Sequence, residues 1–123
     1  MVNKKFLIVE DSPTMRRIIV NSLKRFGVNN VAEAGNGVEA LKKLETDRFD
    51  VLITDWNMPE MDGKDLVTHV RQMPQYKSIP ILMITTRGME EDVITAIKIG
   101  VNGYVVKPFT PDILRKKIQD LLG

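Results

Sequence analysis

The chain changes its hydrophobic period again and again along its length, and this alternation restricts the fold more than any other feature. Short runs of apolar and β-branched residues occur at Phe6–Val9, Asn30–Ala32, Val51–Thr54, Ile81–Thr85 and Tyr104–Val106. Several are apolar without interruption, as in strands covered on both faces. Segments with the helical period lie between them. The first opens on "DSPTM", where Ser12 suits a helix cap and Pro13 the first helical position. Met15, Ile18, Ile19, Leu23 and Phe26 form its stripe, and Gly27 ends it. The second is expected over Val38–Leu44, starting from Asn36 or Gly37, and the third over Lys64–Met73 with Asp62 as cap. The fourth spans Met89–Ile99, and the fifth begins after "TPD" and uses Ile113, Leu114, Ile118, Leu121 and Leu122. Strands alternating with helices specify an α/β fold, a parallel sheet between two helical layers. Right-handed crossovers are the default for such units.

Composition narrows the class. A chain of 123 residues fits one domain, taken here as 1–123, and can bury one core without metal or disulfides. Charges are interleaved and sum to only +2, which gives no support to nucleic-acid or membrane-surface binding. With no Cys, thiol catalysis and Cys-zinc sites are excluded. No apolar run approaches a membrane span, and "MVNKKFLIVED" lacks the long apolar stretch of a secretory signal. We expect a cytoplasmic protein.

Parallel α/β sheets bind ligands at the carboxyl ends of their strands. Here those ends carry Glu10-Asp11, Asp55, Thr85-Thr86 and Lys107-Pro108. Any one of them is an ordinary polar strand-to-loop junction. Three carboxylates, a hydroxyl and a lysine at one edge are not. Neighbouring carboxylates repel unless a cation joins them. An open, all-oxygen set suits Mg²⁺, which keeps several waters and bridges to phosphate. Lys107 offsets negative charge and can hold an anion. Asp55, the most central carboxylate, is the candidate nucleophile, and attack on phosphorus by a carboxylate gives an acyl phosphate.

The stretches "VEDSPTMRRI", "ITDWNMPEMDG", "ILMITT" and "GYVVKPFT" resemble the response-regulator receiver domain, and more closely the stand-alone chemotaxis regulators of the CheY type. The match runs along essentially the whole chain in order and spacing. The resemblance implies a flavodoxin-like doubly wound five-stranded parallel sheet, order 2-1-3-4-5, with five helices. It implies that Asp55 accepts a phosphoryl group from a sensor histidine kinase. It also implies one Mg²⁺ per domain, on Asp11, Asp55 and the backbone carbonyl of Asn57, with Glu10 acting mainly through water. Thr85 and Lys107 would contact the phosphoryl oxygens, and Tyr104 would be the aromatic switch that follows Thr85. A face containing Val93, Ile97, Tyr104, Val106, Phe109 and Lys117 would bind the flagellar motor switch protein. An aspartyl-phosphate phosphatase is a further expected partner. A monomer is expected, and Lys107-Pro108 is a candidate cis peptide.

Three residues depart from the family pattern. Glu10 stands where many relatives have Asp, and its longer arm bears on metal affinity. Thr86 replaces a small residue. Arg87, with Asn57, would flank the path of attacking water and tune phosphoryl lifetime. Two other readings are a phosphorelay carrier and a receiver excised from a larger regulator; the start at Met1 and the helix stopping at Gly123 favour a complete chain. A turnover phosphatase with an Asp nucleophile would carry a second Asp where Asn57 stands, so no enzyme acting on small substrates is expected. "GNGVEA" imitates a dinucleotide fingerprint but reads as a turn and helix start. His69 reads as a solvated helix residue.

Overall fold

The computed structural model describes residues 2–123. Strands β1 (Phe6–Val9), β2 (Val31–Ala34), β3 (Val51–Thr54), β4 (Ile81–Thr85) and β5 (Gly103–Val106) form one parallel sheet in the order β2-β1-β3-β4-β5. Helices α1 (Pro13–Arg25), α2 (Gly37–Thr46), α3 (Gly63–Gln72), α4 (Glu90–Ile99) and α5 (Pro111–Leu122) alternate with them. The expected doubly wound α/β architecture and strand order are therefore observed. No helix of the described residues is long and apolar enough to cross a membrane.

Strand pleating explains the two cores. In β1, Phe6 and Ile8 point to one face of the sheet and Leu7 and Val9 to the other. The first pair packs with Ile19, Leu23, Leu114 and Ile118 of α1 and α5. The second packs with Ala40, Leu44, Leu66, Val67 and Val70 of α2 and α3. All four residues of β1 and of β3 are buried, the consequence of a sheet covered on both sides.

The caps follow the sequence closely. Ser12, Asn36, Asp62 and Thr110 each accept a backbone N–H from the first turn of the following helix. Gly27 and Gly100, at φ +85° and +109°, close α1 and α4 in the left-handed region that glycine tolerates.

Several boundaries differ from expectation. β2 runs to Ala34 rather than Ala32. It is an edge strand, so Glu33 can face solvent and pair with Arg16 at 3.0 Å, although its charge interrupts the apolar run. β5 begins one residue earlier, at Gly103. α2 continues to Thr46. α5 begins at Pro111 rather than after "TPD", because Thr110-Pro111 repeats the cap-and-proline start of Ser12-Pro13. Ile18 and Ile113, assigned to buried stripes, are exposed; Val20 and Leu114 take the inward positions beside them.

Gly63 fixes how the chain leaves β3. Its N–H donates to the Trp56 carbonyl at 2.7 Å, and a Cβ built there would overlap the Asp55 carbonyl. The turn carrying Asp55 is thus pressed directly against the start of α3. Gly63→Ala is expected to cost about 1–3 kcal/mol, the range for overpacking a closed contact, measured by urea unfolding. Wild-type stability in that variant would show that the turn relaxes freely.

Candidate functional site

Asp55 follows β3 and sits at the middle of the carboxyl edge, 8% exposed. Its N–H donates to Val9 O at 3.0 Å, so the backbone is still in register with β1. Its Oδ1 accepts from the Trp56 N–H at 2.6 Å, and its Oδ2 accepts from Lys107 Nζ at 2.9 Å. Both side-chain oxygens are therefore aimed by neighbours.

Glu10 follows β1 and is 1% exposed. Lys107 Nζ donates to its Oε1 at 2.6 Å, and the Ser12 N–H donates to its Oε2 at 3.1 Å. Arg16 reaches back from α1 and donates to the Glu10 carbonyl at 2.7 Å. Burial pushes the Glu10 carboxyl above the ordinary glutamate range; the Lys107 and Ser12 hydrogen bonds only partly oppose this, and Asp55 adds to it. Burial would lower Lys107, but its hydrogen bonds to Glu10 and Asp55 prevail and hold it above the ordinary lysine range. One ammonium thus bridges two buried carboxylates from different strands, with the cis Lys107-Pro108 peptide immediately after it.

Asp11 is exposed, next to Glu10. Each of Glu10, Asp11 and Asp55 offers an oxygen within 4.8 Å of the others. Two oxygens on one Mg²⁺ stand at most about 4.2 Å apart, a little less than that span. The donors are all oxygen, and the group is open on the Asp11 side. The set fits Mg²⁺. Glu10 and Asp55 each have both carboxylate oxygens already hydrogen-bonded, whereas Asp11 is exposed.

Thr85 is fully buried at the end of β4, and its Oγ1 accepts from the Arg87 N–H at 3.2 Å. Its carbonyl accepts from the Lys107 N–H at 2.8 Å. Tyr104 is half-buried against the α2/α3 core and donates its hydroxyl to the Arg87 carbonyl at 2.7 Å. Burial, then the nearby Asp92 carboxylate, push its phenol above the ordinary range. Thr86 is exposed. Arg87 and Asn57 are bonded to each other. The guanidinium donates twice to Asn57 Oδ1, at 3.2 and 3.1 Å, and lies 4.6 Å from the centre of the Trp56 ring.

Farther along the same face, Val93, Ile97, Tyr104, Val106 and Lys117 line a groove of about 400 Å³. Ile97 and Val106 are 62% and 43% exposed. Phe109 is not part of this groove; it packs half-buried against the α1/α5 core. "GNGVEA" places Asn36 as the α2 cap, and Gly37 lies where a Cβ would strike Met61, which explains Gly37 without a nucleotide. His69 is exposed. Sequence reasoning missed Arg16 and Gly63 as supports of the site. Arg16 has no motif to announce it, and only the closeness of α3 to Asp55 reveals the need for Gly63.

The comparisons with known proteins agree with this geometry. Over 120 residues the chain is 58% identical to chemotaxis protein CheY1 of Helicobacter pylori, covering 97% of each chain. The crystal structure of chemotaxis protein CheY4 of Vibrio cholerae superposes with a TM-score of 0.90 at 42% identity, over 96% of this chain and 98% of that one. The receiver domain of a Pseudomonas aeruginosa sensor histidine kinase, solved with a magnesium ion coordinated in the active site cleft, gives a TM-score of 0.88 at 27% identity, over 98% of each chain. Residues 6–119 match the response regulator receiver domain, and the protein belongs to that family, with relatives of the CheY type along nearly its whole length.

Proposed function

We propose that the protein is a phosphorylation-activated switch of two-component chemotaxis signalling, with Asp55 as phosphoryl acceptor. The observation that carries this reading is the Asp55 carboxylate fixed at the sheet edge by Lys107 and the Trp56 N–H, beside Glu10 and Asp11.

An Asp55 oxygen attacks the phosphorus of a phosphohistidine on the donor kinase. The P–O bond forms as the P–N bond breaks, and the imidazole leaves with the electron pair and takes a proton from solvent. Lys107 balances negative charge at the attacking carboxylate and follows the transferred oxygens. Asp11, Asp55 and the Asn57 carbonyl would hold Mg²⁺, which would supply Lewis-acid stabilisation of the transferring phosphoryl group. The Thr85 hydroxyl accepts from Arg87 and keeps its own proton to donate toward the new phosphoryl group. Tyr104, joined to the Arg87 carbonyl, follows that loop, which changes the groove lined by Val93, Ile97, Val106 and Lys117. The relatives are named as chemotaxis proteins, and the target we propose for this face is a flagellar motor switch protein. A group bound to Asp55 shifts the balance only by stabilising one arrangement more than the other.

With Mg²⁺ and phosphoramidate, wild type is expected to gain one acid-labile phosphoryl adduct on Asp55, located by peptide mapping. An undiminished adduct on Asp55→Asn would sink the assignment. Trp56 fluorescence is expected to titrate with Mg²⁺, and Asp11→Ala to weaken that titration about tenfold or more; equal affinity would remove Asp11 from the metal set. Tyr104→Ala is expected to keep the adduct while reducing its effect on motor-switch binding roughly 5- to 150-fold, the usual span of allosteric coupling.

Glu10 adds a pH signature. A folded pKa above 4.5 means that the folded state binds the Glu10 proton more tightly than the unfolded chain. Its contribution is fully present below 4.5 and is lost as pH rises through the folded value. The unfolding free energy of wild type minus that of Glu10→Gln, measured without metal, is expected to fall through this window and then level off. A flat difference would contradict the raised value.

A further inference from the structure

α4 is weakly anchored for a helix of this sheet. Ala96 is its only fully buried residue, whereas Ile94 and Ile97 are exposed. Its N-cap, Met89, makes no side-chain capping bond, so the first turn gains nothing there. What fastens that turn sideways is Arg87. The guanidinium stacks on Trp56, donates twice to Asn57 and reaches Asp92 of the first turn of α4 at 3.5 Å. Trp56 and Asn57 are the two residues directly after Asp55, and Trp56 donates its N–H to Asp55 Oδ1. A continuous line of contacts therefore runs from the Asp55 carboxylate through Trp56 and Asn57 to Arg87 and into α4. It bypasses both the Thr85 hydroxyl and the Tyr104 hydroxyl, which engage only the Arg87 backbone.

We propose that Arg87 is a positioning residue that ties the first turn of α4 to the peptide beside Asp55, as a second coupling route parallel to Thr85 and Tyr104. The residue types suit the task. Arginine alone combines a planar face for the Trp56 ring with a fork for Asn57 and a remaining nitrogen for Asp92. Lysine would keep the charge but lose the fork and the stacking. Because α4 has little core packing, a modest tether controls a large share of its local opening. The route rests on the reading of Asp55 as acceptor only for its trigger; the tether itself exists in the resting protein.

The test uses the full chain and two conditions. In the resting protein, Arg87→Ala and Asp92→Asn are each expected to speed amide exchange at Glu90–Val93 roughly two- to fivefold, as losing one partly exposed ion pair and stacking contact would do. Their double variant is expected to show little further change, since both cut one line. Arg87→Lys is expected to fall between. Additive effects, or none, would overturn the tether. With Mg²⁺ and beryllofluoride as phosphoryl stand-in, the fluorine signal reports occupancy at Asp55 separately. With that signal present, the exchange change at Glu90–Val93 is expected in wild type and Tyr104→Phe but reduced several-fold in Arg87→Ala. A full response in Arg87→Ala would overturn the coupling route. Absence of the fluorine signal from wild type would overturn the acceptor reading and, with it, the trigger, while the resting comparison still decides the tether.

Discussion

The site depends on one ammonium group. Lys107 comes from the end of β5, crosses the end of β4, and donates to Asp55 beyond β3 and to Glu10 beyond β1. Two carboxylates with under a tenth of their surface exposed are costly to bury side by side without a compensating cation. The lysine makes that arrangement tolerable and draws the ends of three strands to a common point. The rest of the edge is built to keep it there. Arg16 holds the Glu10 carbonyl, Ser12 holds its carboxylate, and Gly63 lets α3 close on Asp55.

A rigid edge is joined to a loose helix. β1, β3 and β4 are wholly buried, and they place Asp55 and Thr85 with little freedom. α4 buries one residue fully and leaves two isoleucines in water. Events at a rigid site reach a distant face through an element with more than one accessible arrangement, and α4, with one fully buried residue, adjoins that edge through the loop before it. Arg87 stands at the junction. Its backbone serves Thr85 and Tyr104, and its side chain serves Trp56, Asn57 and Asp92.

Where expectation and structure part, the cause is tertiary. Glu33 hides the length of β2, because an edge strand tolerates a charge that a central one would not. Gly103 hides the start of β5, since its missing side chain makes room for Leu82 rather than favouring extended backbone. Ile18 and Ile113 fit the helical period as well as their buried neighbours do, and only the way α1 and α5 seat on the sheet leaves them outside. Phe109 belongs to a core and not to the groove for the same reason.

The sequence by itself determined the alternation of elements, the helix caps, and the residues delivered to the strand ends, because period, capping chemistry and strand-to-loop junctions are local properties. It also placed Glu10, Asp11, Asp55 and Lys107 at one edge, since a parallel sheet sends all its carboxyl ends the same way. Only the tertiary structure decided which oxygen each donor holds, that Glu10 is buried while Asp11 is open, and that Arg87 lies across Trp56 and Asn57 to reach Asp92. Those contacts join residues far apart in the chain through long side chains. Their outcome depends on sub-ångström packing of loops, which no local pattern encodes.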